Sequence, residues 1–132
     1  MYKIILSALA LLIFLSCKNQ SQNHSKDIFN AIVTFKDTIY DFRSSNLDSK
    51  IKSYIFEYTN IGDVPAVILN VNPSCKCTSA EYTKEPVMPG KKGKVTVTYD
   101  GNNDNAGYFN KSVTVRFNSE VKHVLKIRGT NK

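Results

Sequence analysis

From Lys94 to Asp100 apolar and polar residues alternate without a break, Val95, Val97 and Tyr99 on one side and Thr96 and Thr98 on the other. A repeat of two residues fits a strand with one buried face and is incompatible with the 3.6-residue period of a helix. The pattern recurs along the chain. Ile51–Thr59 sets Tyr54, Phe56 and Tyr58 against Ile55, Glu57 and Thr59; Phe109–Phe117 aligns Val113, Val115 and Phe117; Val121–Arg128 brings Leu125 and Ile127 to one face. Ala31–Phe35 and Thr38–Phe42 read as a first strand broken at Lys36-Asp37. Ala66–Val71 reads as a mostly apolar, central strand and Cys75–Tyr82 as a short extended piece. Turn signals part them: Asn60-Ile61-Gly62-Asp63, Met88-Pro89-Gly90-Lys91-Lys92-Gly93, the run from Gly101 to Gly107, and Asn118-Ser119-Glu120.

About seven half-apolar strands at spacings of about ten residues predict an all-β, immunoglobulin-like sandwich of two sheets over residues 28–132, with a small barrel as the competing closure. There is no Trp, so seven Tyr and seven Phe must supply the large core pieces. The buried Trp and inter-sheet disulfide of antibody domains are both missing.

The amino terminus obeys different rules. Lys3 precedes an apolar run from Ile4 to Leu15 interrupted only by Ser7, and polarity returns abruptly at Lys18. Twelve residues cannot span a bilayer as a helix, which takes about 20, but they match the apolar core of a secretory signal. The run closes with Phe14-Leu15-Ser16-Cys17. This resembles a lipobox, in which a small residue precedes a cysteine that is diacylated and becomes the new amino terminus; Phe14 stands where leucine is usual. The expected organisation is a lipoprotein signal at 1–16, a lipid-anchored polar stalk at 17–27 and the sandwich at 28–132. Two or three acyl chains anchor durably where one would not. Lys18 lacks the aspartate that retains some lipoproteins in an inner membrane, which favours the outer membrane of a bacterial envelope.

The formal charge is +7, or 7 − 1 = +6 once Lys3 leaves with the signal. The basic residues are dispersed and not interleaved with stacking aromatics, so a nucleic-acid partner is not expected. Lys111, inside a strand at inward parity, is read as an edge residue whose stem covers apolar surface.

Several segments in order carry a family resemblance: Tyr40-Asp41-Phe42, Phe56-Glu57-Tyr58-Thr59-Asn60-Ile61-Gly62, Ser74-Cys75-Lys76-Cys77-Thr78, Pro89-Gly90, Val95-Thr96-Val97-Thr98-Tyr99-Asp100, Gly107 to Val115, and Leu125-Lys126-Ile127-Arg128-Gly129. Over about residues 32–129 the chain resembles the bacterial family known as domain of unknown function 1573, related to the immunoglobulin-like domains of Hydin-type proteins. Arg43 replaces the glycine usual after Asp-Phe, and Lys76 replaces the glycine of Cys-Gly-Cys. The resemblance implies the fold and export; it brings no activity.

One site suggests chemistry. With Cys17 assigned to lipid, Cys75 and Cys77 remain. In an extended strand their Cα atoms would lie roughly 6.5–7 Å apart, at or beyond disulfide reach, unless a bend after Pro73-Ser74 shortens the span. Four readings stay open: a strained local disulfide, a redox-active pair with Lys76 lowering a thiol pKa, a soft-metal site, or reduced buried thiols. A metal would need further donors, and only His24, Met88 and His123 are available. No phosphate-binding glycine loop, His-Glu-x-x-His or Gly-x-Ser-x-Gly is present. The expectation is therefore a membrane-anchored binding or structural module that is not an enzyme. It would carry no cofactor beyond the lipid on Cys17 and meet the membrane and other envelope proteins. The alternative is thiol-redox or metal handling through Cys75 and Cys77.

Overall fold

The computed structural model describes residues 30–44 and 49–132; the signal, Cys17 and the stalk lie outside them. Eight strands occur among the described residues: β1 (Val33–Phe35), β2 (Ile39–Asp41), β3 (Ile51–Asn60), β4 (Ile68–Pro73), β5 (Thr78–Tyr82), β6 (Lys92–Asp100), β7 (Gly107–Phe117) and β8 (Lys122–Asn131). They form two four-stranded sheets, β1-β3-β6-β5 and β2-β8-β7-β4. The sandwich expected from the alternation is what is found, and the barrel is not.

The broken first strand is two strands in different sheets. β1 pairs antiparallel with β3, and after three residues of crossing β2 runs parallel to β8. Ala66–Val71 is corrected in two ways. The strand starts at Ile68, and it is an edge of its sheet rather than a central element, with a bulge between Ile68 and Asn70 and Leu69 turned to solvent. Lys111 lies where β7 runs past the β4 ladder, which stops at Val113, so there β7 pairs with β8 alone, through Ile127, and the edge reading stands. Its ammonium pairs with Asp104 at 2.9 Å.

The core is the inward face of each alternation. Phe56, Tyr58, Val95, Val97 and Tyr99 of the first sheet meet Val113, Val115, Phe117, Leu125 and Ile127 of the second. Ring pairs bridge the layers, Tyr58 edge-on to Phe117 at 4.9 Å and Tyr99 stacked on Phe109 at 3.9 Å. Gly93 is where Tyr58 needs space, since a Cβ there would lie 2.3 Å from the phenol oxygen. Buried amides fix both ends. Asn60 donates to the carbonyls of Val64 and Val87 and accepts from the amide of Gly62. Asn118 accepts from Val67 and donates to Pro65, and Asn131 donates to Gly101 at the opposite end.

Candidate functional site

Cys75 and Cys77 lie in the turn that carries the chain from β4 in one sheet to β5 in the other, not in a strand as their extended reading implied. Ser74 ties the turn to β7: its amide donates to the Ser112 carbonyl at 2.8 Å and its hydroxyl accepts from the Ser112 amide at 3.0 Å. The Cys77 carbonyl accepts from the Asp100 amide at 2.8 Å, tying the other side to β6. Held at both ends, the backbone bends so that the two Cα atoms are 5.3 Å apart, within bonding reach, and the sulfurs form a disulfide. Among the described residues no non-glycine residue has a positive φ, so Lys76 and Arg43 both serve in turns without the glycine conformation.

Thr78 is buried beneath the disulfide, its hydroxyl donating to Cys75 Sγ at 3.2 Å. Both cysteines are half-exposed. Lys76, Cys77, Asp100 and Asn103 line an open pocket of about 210 Å³ beside the bond. The other soft donors are elsewhere. Met88 precedes the start of β6, whereas Cys77 bonds to its last residue, so the nine residues of β6 separate them by roughly 25 Å. His123 on β8 packs between Phe35 and Phe117, at 5.4 and 5.6 Å between ring centres, and burial pushes its pKa below the usual value. Among the described residues no three His, Cys, Asp or Glu side chains come together as a metal set; His24 lies outside them.

Charged groups near this end serve structure. Asp104 accepts from Lys111 and from the Tyr99 phenol at 3.0 Å, and these bonds hold its carboxyl below the usual range, the Lys111 contact most strongly. Asp41 accepts a forked contact from Arg43 and a further bond from Arg128 at 3.0 Å, and the Arg43 hydrogen bonds dominate in holding its carboxyl far below the usual range.

A second candidate, unread in the sequence beyond "short extended piece", is the free edge of β5. Cys77 and Thr83 bond across the ladder to Asp100 and Lys94. By the alternation of an antiparallel pair, Ser79 and Glu81 also direct their backbone groups to β6, while Ala80 and Tyr82 direct theirs outward. Among the described residues nothing pairs with them. The other edges are blunted: β1 and β2 are three residues long, and β4 carries a bulge and ends in Pro73. Beside β5, a groove of about 400 Å³ is lined by Glu81 to Glu85 together with Lys94 and Thr96. Hydrophobic periodicity fixes which face of a strand is buried but not which neighbour it acquires, so this edge left no signal in the sequence.

The family described as "Protein of unknown function (DUF1573)" matches residues 33–131. No curated protein matches the chain in sequence. Among solved structures it is similar to a protein of unknown function from Porphyromonas gingivalis W83, with a TM-score of 0.67 and 14% identity over 78% of this chain and 48% of that one. It is also similar to the ASH / PapD-like domain 7 of human CEP192, with a TM-score of 0.54 and 12% identity over 76% of this chain and 84% of that domain. A third likeness is to the periplasmic chaperone SfaE, with a TM-score of 0.53 and 11% identity over 76% of this chain and 57% of the chaperone. The chain thus spans about half the length of the Porphyromonas protein. Likeness at these identities is a likeness of fold.

Proposed function

The chain belongs to the DUF1573 family of proteins of unknown function, and from that premise we propose a non-enzymatic binding module, held to a bacterial envelope membrane by lipid on Cys17, that takes up an extended segment of another envelope protein along β5. The observation that carries this reading is the outward-facing backbone of Ala80 and Tyr82 on the one sheet edge among the described residues that has neither a bulge nor a proline and exceeds three residues. An added strand would satisfy those groups, and its alternate side chains would reach the groove beside Glu81 and Lys94. The apolar run Ile4–Leu15 and the pair Ser16-Cys17 support export and anchoring.

Ala80→Pro tests the edge because it removes an outward donor without deleting a bond to β6. Photo-crosslinking residues placed at Ser79 or Glu81 in the full chain are expected to join a defined envelope protein, and Ala80→Pro to abolish that product. Equal crosslinking by the proline variant, or by a probe at Thr34 on β1, would remove the edge as the binding surface. Intact mass of the membrane-extracted protein checks the lipid on Cys17 independently.

A second reading is thiol–disulfide exchange, favoured by the half-exposed disulfide beside the Lys76 pocket. A substrate thiolate would attack one sulfur, breaking the S–S bond and releasing the other as thiolate. A second substrate thiol would then resolve the mixed disulfide, leaving Cys75 and Cys77 reduced and the substrate oxidised to a disulfide. Catalytic oxidation of a peptide dithiol in the presence of a terminal oxidant would favour it over the binding module.

A further inference from the structure

Among the described residues the two ends of the sandwich differ in chemistry. At the end where the chain arrives at Asn30, each turn offers an apolar residue to solvent: Ile32 before β1, Ile61 after β3, Met88 before β6 and Val121 before β8, each more than half exposed. These tips are rigidly placed. The amides of Ile61 and Gly62 donate to the Ile32 carbonyl, the Ala31 amide to Asn118, and the Gly90 amide to Asn60. Isolated exposed aliphatics need no explanation, but four tips at one end form a set. Lys91, Lys92 and Lys122 stand beside them with Asp63 and Glu120, while Lys84 and Glu85 offset each other, an excess of one positive charge (4 − 3 = 1). At the opposite end the loop before β7 presents Asn102, Asn103 and Asn105, and the exposed Ile51 and Tyr108 there lie on strands rather than at a tip.

We propose that this apolar-tipped end is a membrane-contacting surface, seating Ile32, Ile61, Met88 and Val121 in the interface of the bilayer that holds the lipid anchor. The proposal rests on the anchored reading above. From Cys17 to Asn30 is 30 − 17 = 13 residue steps, a reach of at most about 45 Å. The longest strand has 11 residues, so the body is roughly 35 Å long. An anchor at Cys17 therefore brings the Asn30 end to the bilayer, and presenting the other end would consume most of that reach along the side of the domain. Apolar tips supply the contact, as in interfacial anchors, and the lysines favour an anionic headgroup layer. The domain then stands upright, with the Cys75–Cys77 turn pointing away from the membrane and β5 running along its side, accessible to a partner.

Hydrogen exchange of the full chain, purified from its membrane and placed in phosphatidylcholine vesicles with or without phosphatidylglycerol, tests this. Exchange at residues 60–67, 84–91 and 118–122 is expected to slow roughly threefold or more on vesicles, more so on anionic ones, while residues 101–106 are unchanged. Replacing Ile61 and Val121 together by Ser, both at exposed turn positions, is expected to restore fast exchange at those turns without altering the circular dichroism spectrum. Equal exchange at both ends, or protection at 101–106, overturns the proposal. Protection that appears without vesicles and grows with protein concentration assigns the surface to a second copy, and protection that needs an added protein extract assigns it to a protein partner; both overturn it. Intact mass is read on the same sample. Absence of acyl chains defeats the lipoprotein reading alone, because the exchange pattern on added vesicles still reports which end meets the bilayer.

Discussion

Asn60 is wholly buried at the end of β3, where the alternation of that strand calls for an apolar residue. Its amide explains the exception. One side chain satisfies the Val64 and Val87 carbonyls at 2.8 Å each and the Gly62 amide at 3.0 Å, joining the turn after β3 to the segment before β6. The Val87 carbonyl and Gly62 amide keep other partners in Ala66 and Ile32, whereas Asn60 is the partner shown for Val64. Replacing Asn60 by Ala would take its partner from the part-buried Val64 carbonyl, remove a bond from the buried Val87 carbonyl and open a small void. The expected loss is about 2 to 3 kcal/mol in urea unfolding. A loss under about 0.5 kcal/mol would mean that water reaches the carbonyls and that the turn is less closed than its geometry indicates. The same substitution should also loosen the seating of Ile61, whose exchange offers a second readout.

At the scale of elements, the cysteine turn is the seam between the two sheets. A disulfide across one intervening residue closes so short a loop that it constrains the unfolded chain little, about 1.5 kcal/mol on the loop-entropy relation. The backbone ties at Ser74 and Cys77 remain when the sulfurs go. Replacing Cys75 and Cys77 together by Ser is therefore expected to lower stability by about 1 to 2 kcal/mol, with the sandwich intact by circular dichroism. Collapse of the fold in that variant would show that the bond, rather than the Ser74 and Cys77 ties, aligns the sheets. This seam also marks the limit of what was legible beforehand. Alternation identified the buried faces of β3, β6, β7 and β8 because a residue's side of a strand is a local property. Whether β4 is central or at an edge, and that β1 and β2 belong to different sheets, depends on partners distant in sequence. The cysteine spacing is marginal along a straight strand and suffices only with a bend after Pro73-Ser74; the sequence offers that bend as an option, and the bonds from Ser74 to Ser112 accompany it in the fold. Arg43 and Lys76 stand where the family has glycines, and neither takes a positive φ, which only the backbone angles could show.

For the molecule as a whole, the two sheets are joined through aromatic contacts that also set its tolerance of alkali. Tyr58 on β3 meets Phe117 on β7, and Tyr99 on β6 stacks on Phe109, so both phenols sit in the layer between the sheets. Burial pushes each pKa up to about 12; for Tyr99 the hydrogen bond to Asp104 adds to burial. The unfolded phenol titrates near pH 10. Between about pH 10 and 12 the folded chain therefore keeps protons that the unfolded chain has released, and stability falls as pH rises, by about 1.4 kcal/mol per pH unit for each tyrosine. Below pH 10 both states are protonated and neither tyrosine contributes a slope. The Tyr58 phenol has no hydrogen-bond partner among the described residues, so Tyr58→Phe is expected to cost little at neutral pH and to flatten the alkaline slope by one tyrosine's share. Tyr99→Phe should flatten it by the same amount but lose stability at neutral pH, because Asp104 would lose a donor. Urea midpoints taken stepwise across the alkaline range for the three chains measure this directly, with the lysines cancelling in the differences. An unchanged slope in Tyr58→Phe would mean that this phenol ionises within the fold. The interlayer at that end would then be open to water, and the joining of the sheets would have to be assigned to Tyr99, Phe109 and the aliphatic core.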